Sequence, residues 1–518
     1  MKKLWKLFLL TFILPLSACG GNPDTGKEPE KTPVPTNGEA ALTPDITPEV
    51  TEEITQKPAS GEETALDETY LQYTFHLDKK HQKIDGFGGA FTWYSDQIFN
   101  AGKNTDGLLD TLFTDAKLSI IRFKNEYAYH SEDYAGNVRP MFRIYEAAAE
   151  RAASYGEEPT VLLSCWSPPA SLKSNQSIEG GGSLAKHEDG TYMYEEYAQW
   201  WVDSVKFYRE WDIKIDYVSI QNECDFVAGY DGCEFAPTET DTQASYAKAF
   251  LAVYDAMQAE FGDEAPKMIA PETMSCEPLT LYNYVKEILE TKPESICGIG
   301  YHLYVGGDSD EENNTVKYDS FLWNFMDLEK YFGEYGYARW QTEFFRGRGL
   351  QTAALINNAM TQADMNAYIY WSAVWADDTE NFESGELIRL QNAANKNKDG
   401  WGICADYYAL RHFSEFIRPG YSRVEASMQG GMNFRTSAYV SEDEKTLVLV
   451  VINLGNTVET LQIPTGEKRL SSSLVYQSVL GTEDSSDNIL YQDMGALQPG
   501  NTVSLPGESI TTVVLSFE

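Results

Sequence analysis

The sequence predicts an α/β fold: a (β/α)8 TIM barrel with an attached all-β sandwich as a side domain. Three observations predict it. From about residue 81 to 415, short runs rich in β-branched and aromatic residues alternate with amphipathic helical patterns. Eight such runs occur over that stretch, the number a barrel requires. Beyond about residue 420 the helical period stops, and strand-like runs follow one another between Gly, Asn, Asp and Pro turns.

At the N-terminus Lys2, Lys3 and Lys6 precede an apolar stretch, Leu7 to Leu16, too short to span a bilayer as a mature helix. It ends in Leu16-Ser17-Ala18-Cys19-Gly20, which resembles a bacterial lipobox. The resemblance implies a signal peptide over residues 1–18, cleavage before Cys19 and a lipid on its sulfur. The expected location is the extracellular face of the cell envelope, with the protein anchored to the membrane rather than spanning it. Residues 19–66 are dominated by Pro, Thr, Glu, Gly and Ala and bury too little to fold, which predicts an acidic tether.

Residues 67–80 contain the strand-like run Tyr70–Leu77, expected to join the sheet of the side domain. The barrel is expected over 81–415, with strands near Lys83–Gly88, Leu118–Phe123, Thr160–Cys165, Tyr217–Gln221, Met268–Ala270, Gly298–Tyr301, Tyr337–Thr342 and Ala367–Trp371. Tyr194–Glu210 and Gln243–Phe261 are amphipathic helices between them. A doubly wound sheet would bring a Gly-rich phosphate loop, and none of the required form occurs. The sandwich is expected over 416–518, through Thr446–Asn453, Val458–Ile463, Ser473–Tyr476 and Ser509–Phe517.

A formal net charge of −39 would repel phosphates, so nucleic acid is excluded as a partner. The 11 Trp and 32 Tyr suit both a large core and a groove that stacks on sugar rings. No CxxC, HExxH or GxSxG occurs, so no metal or cofactor and no serine nucleophile is expected. Cys224 and Cys233 flank a short loop and could pair in an oxidising exterior, although buried thiols suit a core of this size better.

Two glutamates stand at the ends of buried strands, Glu223 in Gln221-Asn-Glu223 and Glu343 in Trp340-Gln-Thr-Glu343. They close the fourth and seventh predicted strands, which face each other across a barrel mouth. A lone strand-end Glu reads as a structural ion pair, but an opposed pair is the equipment for cleaving a glycosidic bond.

Beyond the glutamates, an ordered set of motifs resembles family 30 glycoside hydrolases, the group of xylan and glucuronoxylan endo-hydrolases, β-1,6-glucanases and glucosylceramidases. The set is Ile84-Asp-Gly-Phe-Gly-Gly-Ala90, Ile120-Ile-Arg122-Phe, Cys165-Trp-Ser-Pro-Pro-Ala-Ser-Leu-Lys173, Gly181-Gly-Ser-Leu184, the two glutamate motifs and Phe416-Ile-Arg-Pro-Gly-Tyr421. The resemblance implies retaining hydrolysis with Glu223 as acid/base and Glu343 as nucleophile. Asn222 would hold the sugar 2-OH, and Arg122 would lie beneath Glu343 and lower its pKa. Trp93, Trp166, His302, Tyr304 and Trp371 match positions lining the sugar subsites; His302 reads equally well as a core histidine.

Glucuronate-gripping members carry an Arg-containing segment after the eighth strand. Here the chain after Trp371 runs through Asp377, Asp378 and Glu380 to Glu386, poor chemistry for a carboxylate ligand, with Arg346, Arg348 and Arg389 as the available cations. The Ser-Leu-Lys and Gly-Gly-Ser-Leu patterns favour xylan, so the expectation is an endo-β-1,4-xylanase with little need of glucuronate branches, acting as a monomer. β-1,6-Glucanase is the alternative within the family, and a non-catalytic glycan-binding lipoprotein the alternative outside it.

Overall fold

A computed structural model describes residues 70–518, apart from 94, 100–103, 129–134, 311–314, 346–347, 377–384, 391–399, 467 and 481–488. The expected signal peptide, Cys19 and the expected tether therefore lie outside the described residues.

Eight parallel strands close into a barrel: Gly86–Ala90, Ile120–Lys124, Thr160–Ser164, Tyr217–Ser219, Lys267–Ser275, Gly298–Val305, Ala338–Glu343 and Ala367–Tyr370. The predicted fold class is thus observed. Alternation along each strand sorts its residues. Ile121, Phe123, Val161, Leu163, Tyr368 and Tyr370 face outward into the large core shared with the helices. Ile120, Leu162, Ile269, Trp340, Ala367 and Ile369 face inward and fill the barrel floor as a separate apolar cluster. Trp340 seals it, donating its indole N–H to Asp85 at 2.8 Å and stacking near Tyr217. The next inward layer toward the strand C-termini is polar: Arg122 follows Ile120, and Ser164 follows Leu162.

The rest of the chain forms a nine-stranded sheet. Its central antiparallel strands are Ser422–Met428, Phe434–Val440, Thr446–Asn453 and Ser509–Phe517, extended by Leu470–Val479 and Ile489–Gly495 on one side. On the other side Leu71–Lys83 pairs antiparallel with Ser422–Met428 and parallel with Glu459–Gln462, which in turn pairs with Thr502–Leu505. The sheet folds over one apolar core, in which Val503 and Leu505 meet Val475, Val513 and Leu515. The pre-barrel strand runs to Lys83, further than Tyr70–Leu77, because register shifts after His76 and Lys80 carry it through a polar, exposed stretch. A small sheet of Val374–Ala376, Ile388–Leu390 and Trp401–Ile403, absent from the sequence reading, follows the eighth barrel strand.

Thr446–Asn453 is buried on both faces, which is why it reads as one continuous apolar run. Leu447, Leu449 and Val451 enter the sandwich core, while Val448, Val450 and Ile452 join the core of the barrel. Polar ties fix this junction: Asn357 donates to Ser437 at 2.9 Å, and His412 is held between the Thr512 and Ser478 hydroxyls, 2.8 Å from each.

His412 is fully buried, and burial, reinforced by Arg411, lowers its pKa to about 3. A depressed histidine contributes stability that is complete above its unfolded value and is lost as pH falls from about 6.5 toward 3. Urea midpoints should therefore show His412→Gln losing its disadvantage against the parent chain on acidification, by about 1.4 kcal/mol per pH unit. A constant difference between pH 7 and pH 4.5 would remove His412 as an acid-sensitive tie.

Candidate active site

At the C-terminal mouth of the barrel the polar layer becomes a network centred on Arg122, whose side chain is fully buried. Its guanidinium donates to Glu343 Oε2 at 2.6 Å, to Asn222 Oδ1 at 2.6 Å and to Ser164 Oγ at 3.2 Å. Its Nη2 also lies 3.1 Å from Oε1 of Glu272. Residues on or just beyond four other strands thus converge on one cation. Trp166 backs it, with the guanidinium carbon 4.6 Å from the indole centroid.

Glu343 ends the seventh strand, where a register shift between Gln341 and Glu343 breaks the alternation set by Trp340 and lets the carboxylate turn inward. Its Oε1 accepts the Tyr304 hydroxyl at 3.0 Å. Glu223 lies in a turn beyond the fourth strand, which stops at Ser219. Its backbone is left-handed at φ 48, and its N–H donates to the Glu272 carbonyl at 2.9 Å. Its side chain meets Nδ1 of His302 at 3.0 Å and accepts the Tyr230 hydroxyl at 3.1 Å. Carboxylate oxygens of Glu223 and Glu343 and a ring nitrogen of His302 all lie within 4.8 Å of one another.

Electrostatics follow from this packing. Burial opposes charge on His302, but Glu343, Glu223 and Glu272 outweigh it and raise its pKa to about 9, so the ring is an imidazolium at neutral pH. Burial likewise opposes charge on Glu272, yet Arg122, His302 and Ser219 hold it down at about 2. For Glu343 the expected lowering by Arg122 is present but outweighed. Arg122 and His302 do pull its pKa down, but burial, aided by Glu223, pushes harder and the net direction is upward.

Trp93, Trp166, Trp371 and Trp375 form a chain of tilted rings with centroids 6.3, 5.8 and 6.1 Å apart. Trp93 and Trp371 are half-buried at the rim, and Trp166 is a buried backing wall rather than an open platform. His302 is buried beneath the carboxylates, so it is neither an isolated core histidine nor an exposed sugar contact.

Sequence reasoning missed Glu272, Tyr230 and Lys124. Glu272 ended the short run Met268–Ala270 after Pro271, the same strand-end signal that marked the other two glutamates. Lys124 was legible as the next inward position after Arg122. It pairs with Asp231 at 3.0 Å and lies 4.1 Å from the Trp93 centroid. The Ser-Leu-Lys motif is structural: the Lys173 ammonium is buried and donates to the carbonyls of Gly180 and Gly232, tying the loop after the third strand to the one carrying Tyr230. Arg389 is taken up by the fully buried Glu386 at 2.5 Å. Cys224 and Cys233 are separate buried thiols, pushed up by burial.

Arg122→Lys keeps the charge but loses the fork that reaches Glu343, Asn222 and Ser164 together. The variant should lose about 3–5 kcal/mol in a denaturant titration, the usual cost of breaking a buried pair. It should also lose about a hundredfold or more in kcat/KM. Unchanged stability would show that these contacts do not hold the mouth together.

Residues 125–326 match the model of the glycosyl hydrolase family 30 TIM-barrel domain. The chain is 23% identical over 466 residues to the glucuronoxylanase XynC of Bacillus subtilis (strain 168), covering 86% of this chain and 91% of that one. The catalytic domain of xylanase C from Talaromyces cellulolyticus superposes with a TM-score of 0.64 at 20% identity, covering 86% of this chain and all of the other (100%). An endo-β-1,6-glucanase superposes with a TM-score of 0.65 at 16% identity, over 87% of this chain and 96% of the other. The chain is a glycoside hydrolase whose barrel is similar to that of family 30.

Proposed function

We propose that the protein is a retaining, endo-acting β-glycoside hydrolase of a plant cell-wall polysaccharide, with β-1,4-xylan as its substrate and little dependence on glucuronate branches. The observation that carries the reaction type is the approach of the Glu223 and Glu343 carboxylates to within 4.8 Å. Retaining enzymes set their carboxyls about 5–5.5 Å apart, whereas inverting ones leave about 6.5–9.5 Å for a water.

On this reading Glu343 attacks the anomeric carbon while Glu223 gives its proton to the departing glycosidic oxygen. The glycosyl ester on Glu343 is then opened by water, which Glu223 deprotonates, restoring both carboxyls. Arg122 and Tyr304 hold the two oxygens of Glu343 and aim the carboxylate. Tyr230 and His302 do the same for Glu223. Asn222, fixed by Arg122, would present its amide N–H to the sugar 2-OH, a contact that strengthens as positive charge develops at the ring.

The choice of xylan rests on the xylanase relatives. Independence of glucuronate is supported by the engagement of Arg389 with Glu386 and by the acidic run that precedes them. The β-1,6-glucanase alternative keeps support from the structural likeness, and the non-catalytic binding protein has none.

Glu343→Gln should keep its fold by circular dichroism and lose at least about a thousandfold in hydrolysis. Proton NMR of the first product should show the β-anomer; an initial α-anomer would overturn double displacement. Comparable turnover of glucuronoxylan and undecorated xylooligosaccharides is expected, and cleavage of β-1,6-glucan in preference to both would replace the substrate. We further propose lipid anchoring through Cys19 at the extracellular face of the envelope. Cys19→Ala should then move the protein from the membrane to the soluble fraction, and unchanged fractionation would exclude that anchor.

A further inference from the structure

Five ionisable groups share the barrel axis: three carboxyls, Glu223, Glu272 and Glu343, and two cations, Arg122 and His302. Glu272 has no place in the double displacement. It is fully buried, beneath the pair rather than at the groove. Yet its Oε1 is 3.1 Å from Arg122, takes the Ser164 hydroxyl at 3.3 Å and lies 3.9 Å from His302 Nε2. Its backbone is left-handed at φ 59, uncommon for a non-glycine residue, and its carbonyl holds the N–H of Glu223.

We propose that Glu272 is a positioning residue that sets the protonation of the catalytic pair: as a permanent anion it cancels one of the two buried cations, so that Glu223 and Glu343 together retain one negative charge and one proton. The inference rests on the retaining reading of this site and deepens it. With Arg122 and His302 charged and Glu272 ionised, the cluster is neutral when the pair holds a single proton. That is the state double displacement starts from, one carboxyl as acid and one as nucleophile. Without Glu272 the same two cations would face only the catalytic pair, and neutrality would require both carboxyls ionised, leaving no acid for the departing oxygen.

The other titratable groups around the cluster do not replace Glu272 within it. Tyr230, Tyr304, Tyr246 and Cys224 are all shifted upward, chiefly by burial, and stay neutral. Asp225, raised to about 6 chiefly by burial, is ionised at neutral pH and feels Glu223 and His302. Its carboxylate accepts the Met274 N–H outside the hydrogen-bonded cluster and is a background charge that Glu272→Gln leaves in place. Ser164 and Ser219 are uncharged.

The test is a cycle of Glu272→Gln, His302→Gln and the double variant, read as pH profiles of kcat/KM on xylan. Removing the anion should move the basic limb down by about one pH unit or more, because the cluster gives up its proton sooner. Removing the cation should move that limb up, and the double variant should return it to within about half a unit of the parent chain. At pH 7.5 Glu272→Gln should lose about tenfold or more on xylan, but far less on 2,4-dinitrophenyl β-xylobioside, whose leaving group needs little protonation. Limbs that stay in place, or that move the same way in both single variants, would overturn the proposal. So would an equal loss at every pH and on both substrates. Should Glu272→Gln not fold, His302→Gln and the charge-balanced double variant carry the comparison. If the parent chain cleaves no β-glycoside, the functional reading fails instead. The charge balance is then read directly by nitrogen-15 NMR of His302, which should keep its proton to about pH 9 in the parent chain and release it at lower pH in Glu272→Gln.

Discussion

The buried guanidinium of Arg122 is the interaction on which the rest of the site depends. One planar fork reaches Ser164, Asn222, Glu343 and Glu272, which belong to four other strands or the turns that follow them. Burying that cation is tolerable because carboxylates and oxygen acceptors surround it, and each of those groups is oriented by the contact in return. Glu343 is held from one side by Arg122 and from the other by Tyr304, so its carboxylate is presented rather than free to rotate.

The barrel makes this possible by dividing its interior into two layers. Ile120, Leu162, Ile269, Trp340 and Ile369 close the floor and exclude water from below. The polar layer above therefore sits on a rigid apolar base, where charge–charge interactions are stronger than in water. The side sheet braces the helices behind this layer through Val448, Val450 and Ile452 and through His412.

Much of the fold was legible because buried parallel strands announce themselves as short apolar runs. Glu223 and Glu343 were legible for the same reason, being charged residues at the ends of such runs, whereas Arg122, inside its strand, was legible only through the family resemblance. Glu272 carried the same signal but ended a run of three apolar residues, too weak to notice beside the longer ones. The exposed second half of Leu71–Lys83 was hidden because its polar residues follow no period. The roles of His302, Tyr230 and Lys173 were not legible, since each depends on a partner from a different βα unit.

Sequence alone pointed to the barrel and the opposed glutamates, because alternation and strand-end placement are local properties of the chain, and the family resemblance added the cation beneath Glu343. Only the tertiary structure decided how those charges balance. A register shift turned Glu343 inward, a left-handed residue set the Glu223 N–H on the Glu272 carbonyl, and burial outweighed the pull of Arg122 on the Glu343 pKa. The reason is physical: charge in a protein interior is governed by the distances among groups far apart in sequence and by the water they have lost, and neither is written in any one segment.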